Sequence, residues 1–229
     1  MTHDHVFNRI VDEFNEDRIP GWCPLQKALE LVATVIALRP KICVEIGVYG
    51  GKSLLPIALA CESIDNGVVI GIDPWSPVAS AEGYTGENAT WWGRLDHEGI
   101  YASFTANVDR LGLKNRVAIE RAKSDDAALP KTIDLCHLDG QHTEQAIRDV
   151  RRFGANVRLG GIVCMDDLEW VNDGKPHVAM AVTELVKLGF VELHRTKQSD
   201  GCWGFFQRVS LPAPMLAAKR VASKGRKKR

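Results

Sequence analysis

The 229-residue chain balances 29 Lys and Arg against 29 Asp and Glu, and 45% of its residues are hydrophobic and 25% charged. That mix excludes a disordered or fibrous chain and supplies material for one sizeable buried core. No apolar run approaches the ~20 residues of a bilayer span, and the opening MTHDHVFNRIVDEF lacks a signal peptide's continuous apolar stretch, so a cytoplasmic protein without a membrane partner is expected.

In chain order, residues 25–38 (LQKALELVATVIAL) place apolar side chains at helical spacing ahead of Pro40, so residues 1–40 are read as helices packing on a sheet. Five short apolar runs at 42–47, 67–73, 116–122, 132–140 and 160–167 read as buried parallel strands. Helical segments are expected between them at 53–62, 100–111, 125–129 (there only a turn or two) and 144–157, and a further helix at 177–188. Residues 74–99 are read as a long loop, carrying Trp75, Tyr84, Trp91, Trp92 and His97 among small polar residues, of the kind that forms lids and binding loops. Runs at 190–195 and 202–208 separated by Gln-Ser-Asp-Gly read as a hairpin. The sum is an α/β, doubly wound, mostly parallel seven-stranded sheet with an antiparallel edge strand, filling residues 41–209.

Residues 210–229 form a basic tail expected to be disordered. Its last eleven residues hold seven basic and no acidic side chains, leaving 22 basic against 29 acidic in the rest. With no second basic cluster, a nucleic-acid partner is disfavoured. The edge hairpin and the N-terminal helix offer surfaces for a homo-oligomer. The six cysteines (Cys23, Cys43, Cys61, Cys136, Cys164 and Cys202) form no CxxC pair or zinc-like spacing and are read as core residues of a reduced protein.

Acidic residues close four of the five parallel strands: Glu45, Asp73, Asp139, and Asp166 with Asp167. Ligands of open parallel sheets lie beyond these carboxyl ends. So many carboxylates at one crest call for a ligand that brings positive charge, hydroxyls or a metal. The turn after the first strand, Glu45-Ile-Gly-Val-Tyr-Gly-Gly-Lys-Ser53, is one residue short of a P-loop and does not match GxGxxG. Asp73, however, lies where a ribose acceptor would.

That turn resembles motif I of the class I S-adenosylmethionine-dependent methyltransferases, most nearly the metal-assisted O-methyltransferases of the catechol type, whose loop runs E-L-G-x-Y-x-G-x-S. The resemblance extends over residues 42–208 and implies the Rossmann-like methyltransferase fold. It implies that Glu45, Gly47, Tyr49 and Ser53 line the methionine end of S-adenosylmethionine, that Asp73 holds the ribose, that Ser124 and Asp125 flank the adenine, and that Asp139 also meets the cofactor. Leu138-Asp-Gly-Gln-His142 and Gly160-Gly-Ile-Val-Cys-Met-Asp-Asp167 resemble the DGxH and GG-then-acid pairing of a subgroup with members acting on natural-product sugars. In the metal-dependent relatives the positions of Asp139, Asp166 and Asp167 bind a divalent cation, and such hard oxygen ligands suit Mg²⁺; the alternative is that Asp139 only hydrogen-bonds the cofactor and Asp167 caps the following turn. His142 stands where the catechol enzymes carry a lysine base, and an imidazole can take that role; the alternative is a cap on the following helix. The activity implied is methyl transfer to a hydroxyl of a small-molecule acceptor. A nucleotide-binding oxidoreductase on the same sheet, or an RNA-modifying methyltransferase recruited by the tail, stays open at this point.

Overall fold

The computed structural model describes residues 4–199 and 201–211. Fifteen helices and strands follow in order: α1 (Asp4–Asn15), α2 (Leu25–Leu38), β1 (Ile42–Ile46), α3 (Leu54–Ser63), β2 (Val68–Ile72), α4 (Pro77–Ala81), α5 (Gly86–Arg94), α6 (His97–Arg110), β3 (Val117–Glu120), β4 (Ile133–Leu138), α7 (Glu144–Arg152), β5 (Val157–Met165), α8 (His177–Lys187), β6 (Phe190–Gln198) and β7 (Gly201–Arg208).

The seven strands form one sheet in the order β3-β2-β1-β4-β5-β7-β6. All pairings from β3 to β5 are parallel, and β7 runs antiparallel to both β5 and β6. Within the hairpin the reversed strand is therefore β7, one place in from the edge. The order reverses between β1 and β4, which places the ligand crevice beyond their carboxyl ends.

Strand alternation sorts the core into two layers. Cys43, Leu135 and Cys164 face a cluster built with α1, α2, α3 and α6, while Val44, Cys136 and Val163 face one built with α7 and α8. Glu45 and His137, in direct register across β1 and β4, lie one step from Val44 and Cys136 and so point to the α2 and α3 side. On α2 the buried residues Ala28, Leu31, Val32 and Val35 follow helical spacing, and the helix ends on left-handed Arg39 (φ 48°) just before Pro40. Helix α3 is buried from Leu54 to Cys61, as expected of a helix covered on both sides. The six cysteines are all buried and free.

Three expectations need correction. Residues 74–99 are not a loop: α4 starts on a Ser76 cap with Pro77 in its first turn, and α6 on an Asp96 cap that accepts from the Gly99 N–H. Residues 125–129 form no helix; the Asp126 and Ala127 amides both return to the Lys123 carbonyl, and Pro130 prevents a second turn. Helix α7 stops at Arg152 before Gly154, and β5 begins already at Val157. The basic tail lies, from residue 212 on, outside the described residues. No helix of the described residues is long and apolar enough to cross a membrane.

Candidate active site

The glycine turn after β1 is held by backbone and by Asp73. Gly47 has φ +83°, and a Cβ there would lie 2.1 Å from the Asp139 carbonyl oxygen, so glycine alone lets the β1 and β4 loops touch. Asp73 Oδ2 accepts from the Val48 and Tyr49 amides at 3.0 Å each, and Oδ1 from the Trp75 amide at 2.7 Å. Burial pushes the Asp73 carboxyl up, and these three N–H groups oppose the shift. Trp75 is buried, stacks on Phe104 at 5.6 Å and donates its Nε1–H to the Tyr49 carbonyl. It braces the turn.

A cavity of about 800 Å³ opens above these loops, within the usual range of roughly 300–1,000 Å³ for ligand sites. Of the residues expected to meet a cofactor, Gly47, Tyr49, Ser53, Asp73, Ser124, Asp125 and Asp139 all line it, together with His142, Asp166 and Asp167. Glu45 lies behind the wall, fully buried, accepting from Ser53 Oγ at 2.9 Å and facing His137 Nδ1 at 2.8 Å. Ser124 and Asp125 are tied to the start of α7 by Gln145, whose Nε2 donates to both at 3.0 Å and to Asp149 at 2.9 Å. Burial pushes Asp149 up to about 6.

The three carboxylates expected around one ion are not gathered at one point. Asp139 belongs to two groupings, one with His137 and Asp166 and one with His142 and Asp167. Lys27 of α2, with 1% of its side chain exposed, binds Asp166 Oδ2 directly and lies 3.3 Å from Asp139 Oδ2. Burial opposes its charge, yet the carboxylates of Asp139 and Asp166 hold the ammonium well above the usual lysine range. Burial, with Asp166 beside it, pushes Asp139 well up; against the same burial, Lys27 holds Asp166 down. For His137, burial again opposes charge, but Glu45 raises its proton affinity.

His142 is not the cap of α7; Thr143 fills that position, accepting from the Gln145 amide. The His142 amide donates to Tyr84 Oη at 2.9 Å, and its Nε2, buried, lies 2.9 Å from Asp167 Oδ2 but out of line for a hydrogen bond. Burial pushes the Tyr84 hydroxyl up to about 12. Trp170, half exposed, stands 5.1 Å from the imidazole. At the cavity mouth Trp22, Tyr49, Trp91 and Trp92 pack within 4.7–6.4 Å of one another. Lys27, Trp22 and Gln145 carried no motif signal. His137 did carry one, as a polar residue inside an apolar strand.

The family model described as Methyltransferase domain matches residues 44–168, more than half of the chain, from within β1 through β5. The chain belongs to the methyltransferase domain family. Its sheet order and crevice are those of a class I methyltransferase fold, and the oxidoreductase alternative falls. Solved structures similar to this methyltransferase include the O-methyltransferase NovP (20% identity, 81% of each chain covered, TM-score 0.64). They also include the O-methyltransferase TomG of Streptomyces achromogenes, involved in tomaymycin synthesis and solved with S-adenosylmethionine (12%, 90% of each chain, 0.63). A third is an O-methyltransferase of Bacillus cereus with S-adenosylhomocysteine (15%, 89% of this chain and 90% of that one, 0.56). No curated protein sequence matches the chain.

Proposed function

We propose that this methyltransferase moves the methyl group of S-adenosylmethionine to a hydroxyl oxygen of a small molecule. The observation that carries the reading is the convergence of the glycine turn, Asp73, Ser124 and Asp139 on one cavity at the point where strand order reverses. The donor set fits the cofactor. Asp73 Oδ1 accepts from one backbone N–H and keeps capacity for a ribose hydroxyl, and the acidic crest favours a cationic methionine end. The TomG and Bacillus cereus structures, solved with S-adenosylmethionine and S-adenosylhomocysteine, support the same choice, and the O-methyltransferase names of the neighbours support a hydroxyl acceptor.

When bound, the cofactor supplies a sulfonium methyl open to in-line displacement. The protein's part is to align and to manage one proton. Holding both reactants in one cavity removes the entropy cost of encounter. His142, which lines the cavity beside Asp167, is the group placed to receive the proton of the acceptor hydroxyl. Trp170 and the aromatic cluster around Trp22 shape the acceptor end and suit a flat or ring-bearing molecule. The Mg²⁺ implied by the resemblance does not fit Asp139, Asp166 and Asp167 as one ligand set, since Lys27 already stands between Asp139 and Asp166.

The test is transfer of labelled methyl from S-adenosylmethionine to a panel of phenols, sugars, amines and thiols. Label on hydroxyl oxygen is expected. Label on nitrogen or sulfur acceptors alone would overturn the hydroxyl assignment while leaving the cofactor in place.

A further inference from the structure

We infer that the ε-ammonium of Lys27 permanently occupies the cation seat between Asp139 and Asp166, so that this chain carries as a side chain the positive charge that a divalent ion would otherwise bring to its acceptor end. The inference rests on the acceptor-end reading above and adds a residue from α2, outside the matched family region of 44–168.

Four observations place the ammonium there. The Nζ atom contacts Asp166 Oδ2 and lies 3.3 Å from Asp139 Oδ2, the two oxygens an ion in this seat would need. The other oxygen of Asp166 accepts the Asp167 amide at 3.0 Å. His137 Nε2 lies 3.9 Å from the same Asp139 Oδ2. The lysine stem is sealed, with 1% of the side chain exposed, so the ammonium cannot swing into water to make room.

The helix that delivers it is itself locked in register. One turn further along α2, Glu30 accepts from Trp203 Nε1 at 2.6 Å and from Thr196 Oγ1 at 3.2 Å, which ties α2 to the β6–β7 hairpin. A Mg²⁺ ion requires oxygens at about 2.0–2.1 Å in near-octahedral order. Between these two carboxylates it would stand against a fixed unit charge at close range in a poorly screened interior, where like charges repel strongly. The seat holds one cation, and Lys27 is that cation. Its role is positioning: it holds Asp139 and Asp166 together beside the cavity without touching the acceptor itself.

Mn²⁺ titration followed by electron paramagnetic resonance tests this without reference to activity. For the wild-type protein, no Mn²⁺ binding that depends on Asp166 is expected, so Asp166→Asn changes nothing in the Mn²⁺ spectrum. Binding that depends on His142 and Asp167 but survives Asp166→Asn lies at the neighbouring grouping and leaves the seat filled by Lys27, as inferred. Lys27→Ala empties the seat and should bind one equivalent of Mn²⁺, displaced by Mg²⁺ and accompanied by a melting-temperature rise through mass action. Adding Asp166→Asn to that variant should abolish the gain. Wild-type Mn²⁺ binding lost on Asp166→Asn would overturn the inference, as would a folded Lys27→Ala variant that gains none. If Lys27→Ala does not fold, the wild-type comparison still decides. Calorimetry with S-adenosylhomocysteine on the same wild-type sample separates this outcome from failure of the methyltransferase reading.

Discussion

Asp73 and the pair Asp139 and Asp166 meet the same problem, a carboxylate near a crest of like charges, in two ways. Asp73 is satisfied by three backbone N–H groups within 25 residues of itself along the chain. Asp139 and Asp166 share one side-chain partner, 112 and 139 residues away. A carboxylate held by loop amides accepts a neutral hydroxyl partner and needs no counterion. A carboxylate pair held by a buried ammonium depends on an entire helix being docked. On the proposed reading, the cofactor end of the crevice is therefore local in construction, and the acceptor end draws on α2 and on the loops after β4 and β5.

The comparison can be broken hardest at the contact between the two ends. Gly47→Ala puts a Cβ 2.1 Å from the Asp139 carbonyl at a φ of +83°, where both clash and backbone strain oppose it. A loss of about 3 kcal/mol or more is expected, read as a lowered urea midpoint or failure to accumulate folded protein. An unchanged midpoint would mean that the loops do not touch as described. At the acceptor end, His142→Ala is expected to lower turnover by about 10²- to 10⁴-fold with near-normal cofactor affinity. Turnover within a few-fold of wild type across pH 6–9 would remove the base role.

At the proposed cofactor end, Asp73→Ala removes the carboxylate proposed to hold the ribose and frees three backbone amides. A loss of about 10²-fold in S-adenosylhomocysteine affinity is expected from one charged hydrogen bond and the loosened loop. The smallest effect lies at the adenine side. The Asp149 carboxyl is raised to about 6 by burial, so folding takes up a proton between its unfolded value near 4 and about 6, and stability falls as pH rises through that window. Asp149→Asn removes the cost. The variant should match wild type near pH 4 and exceed it by about 1–2 kcal/mol at pH 7 in denaturant melts. A gap independent of pH would show that the carboxyl is not burdened by its burial.

The same contrast governs how far the sequence could be read. Sheet, helix alternation and the cofactor turn are local patterns: apolar runs, glycines at fixed spacing, acidic strand ends. They placed Gly47, Tyr49, Ser53, Asp73 and Asp139 at one crevice. Lys27 could not be found this way, since a lysine on an amphipathic helix reads as solvated until the fold shows two carboxylates across from it. Glu45, a strand-end carboxylate in the sequence, faces Ser53 and His137 behind the cavity wall, a placement that only strand alternation fixes. The segment 74–99 misled through its composition; its Ser-Pro and Asp-x-x-Gly caps were visible, but Gly, Ser and Asn outweighed them in a reading by residue class.

The central claim is that the crevice between β1 and β4 binds S-adenosylmethionine through the Asp73-braced turn. Calorimetric titration of S-adenosylhomocysteine into wild type and Asp73→Ala, with NAD and ATP titrated in parallel, tests it most directly. Stoichiometric binding of S-adenosylhomocysteine to wild type is expected, weakened about 10²-fold in the variant, with no comparable binding of NAD or ATP. Equal affinity in both proteins, or binding of NAD or ATP alone, would contradict the claim.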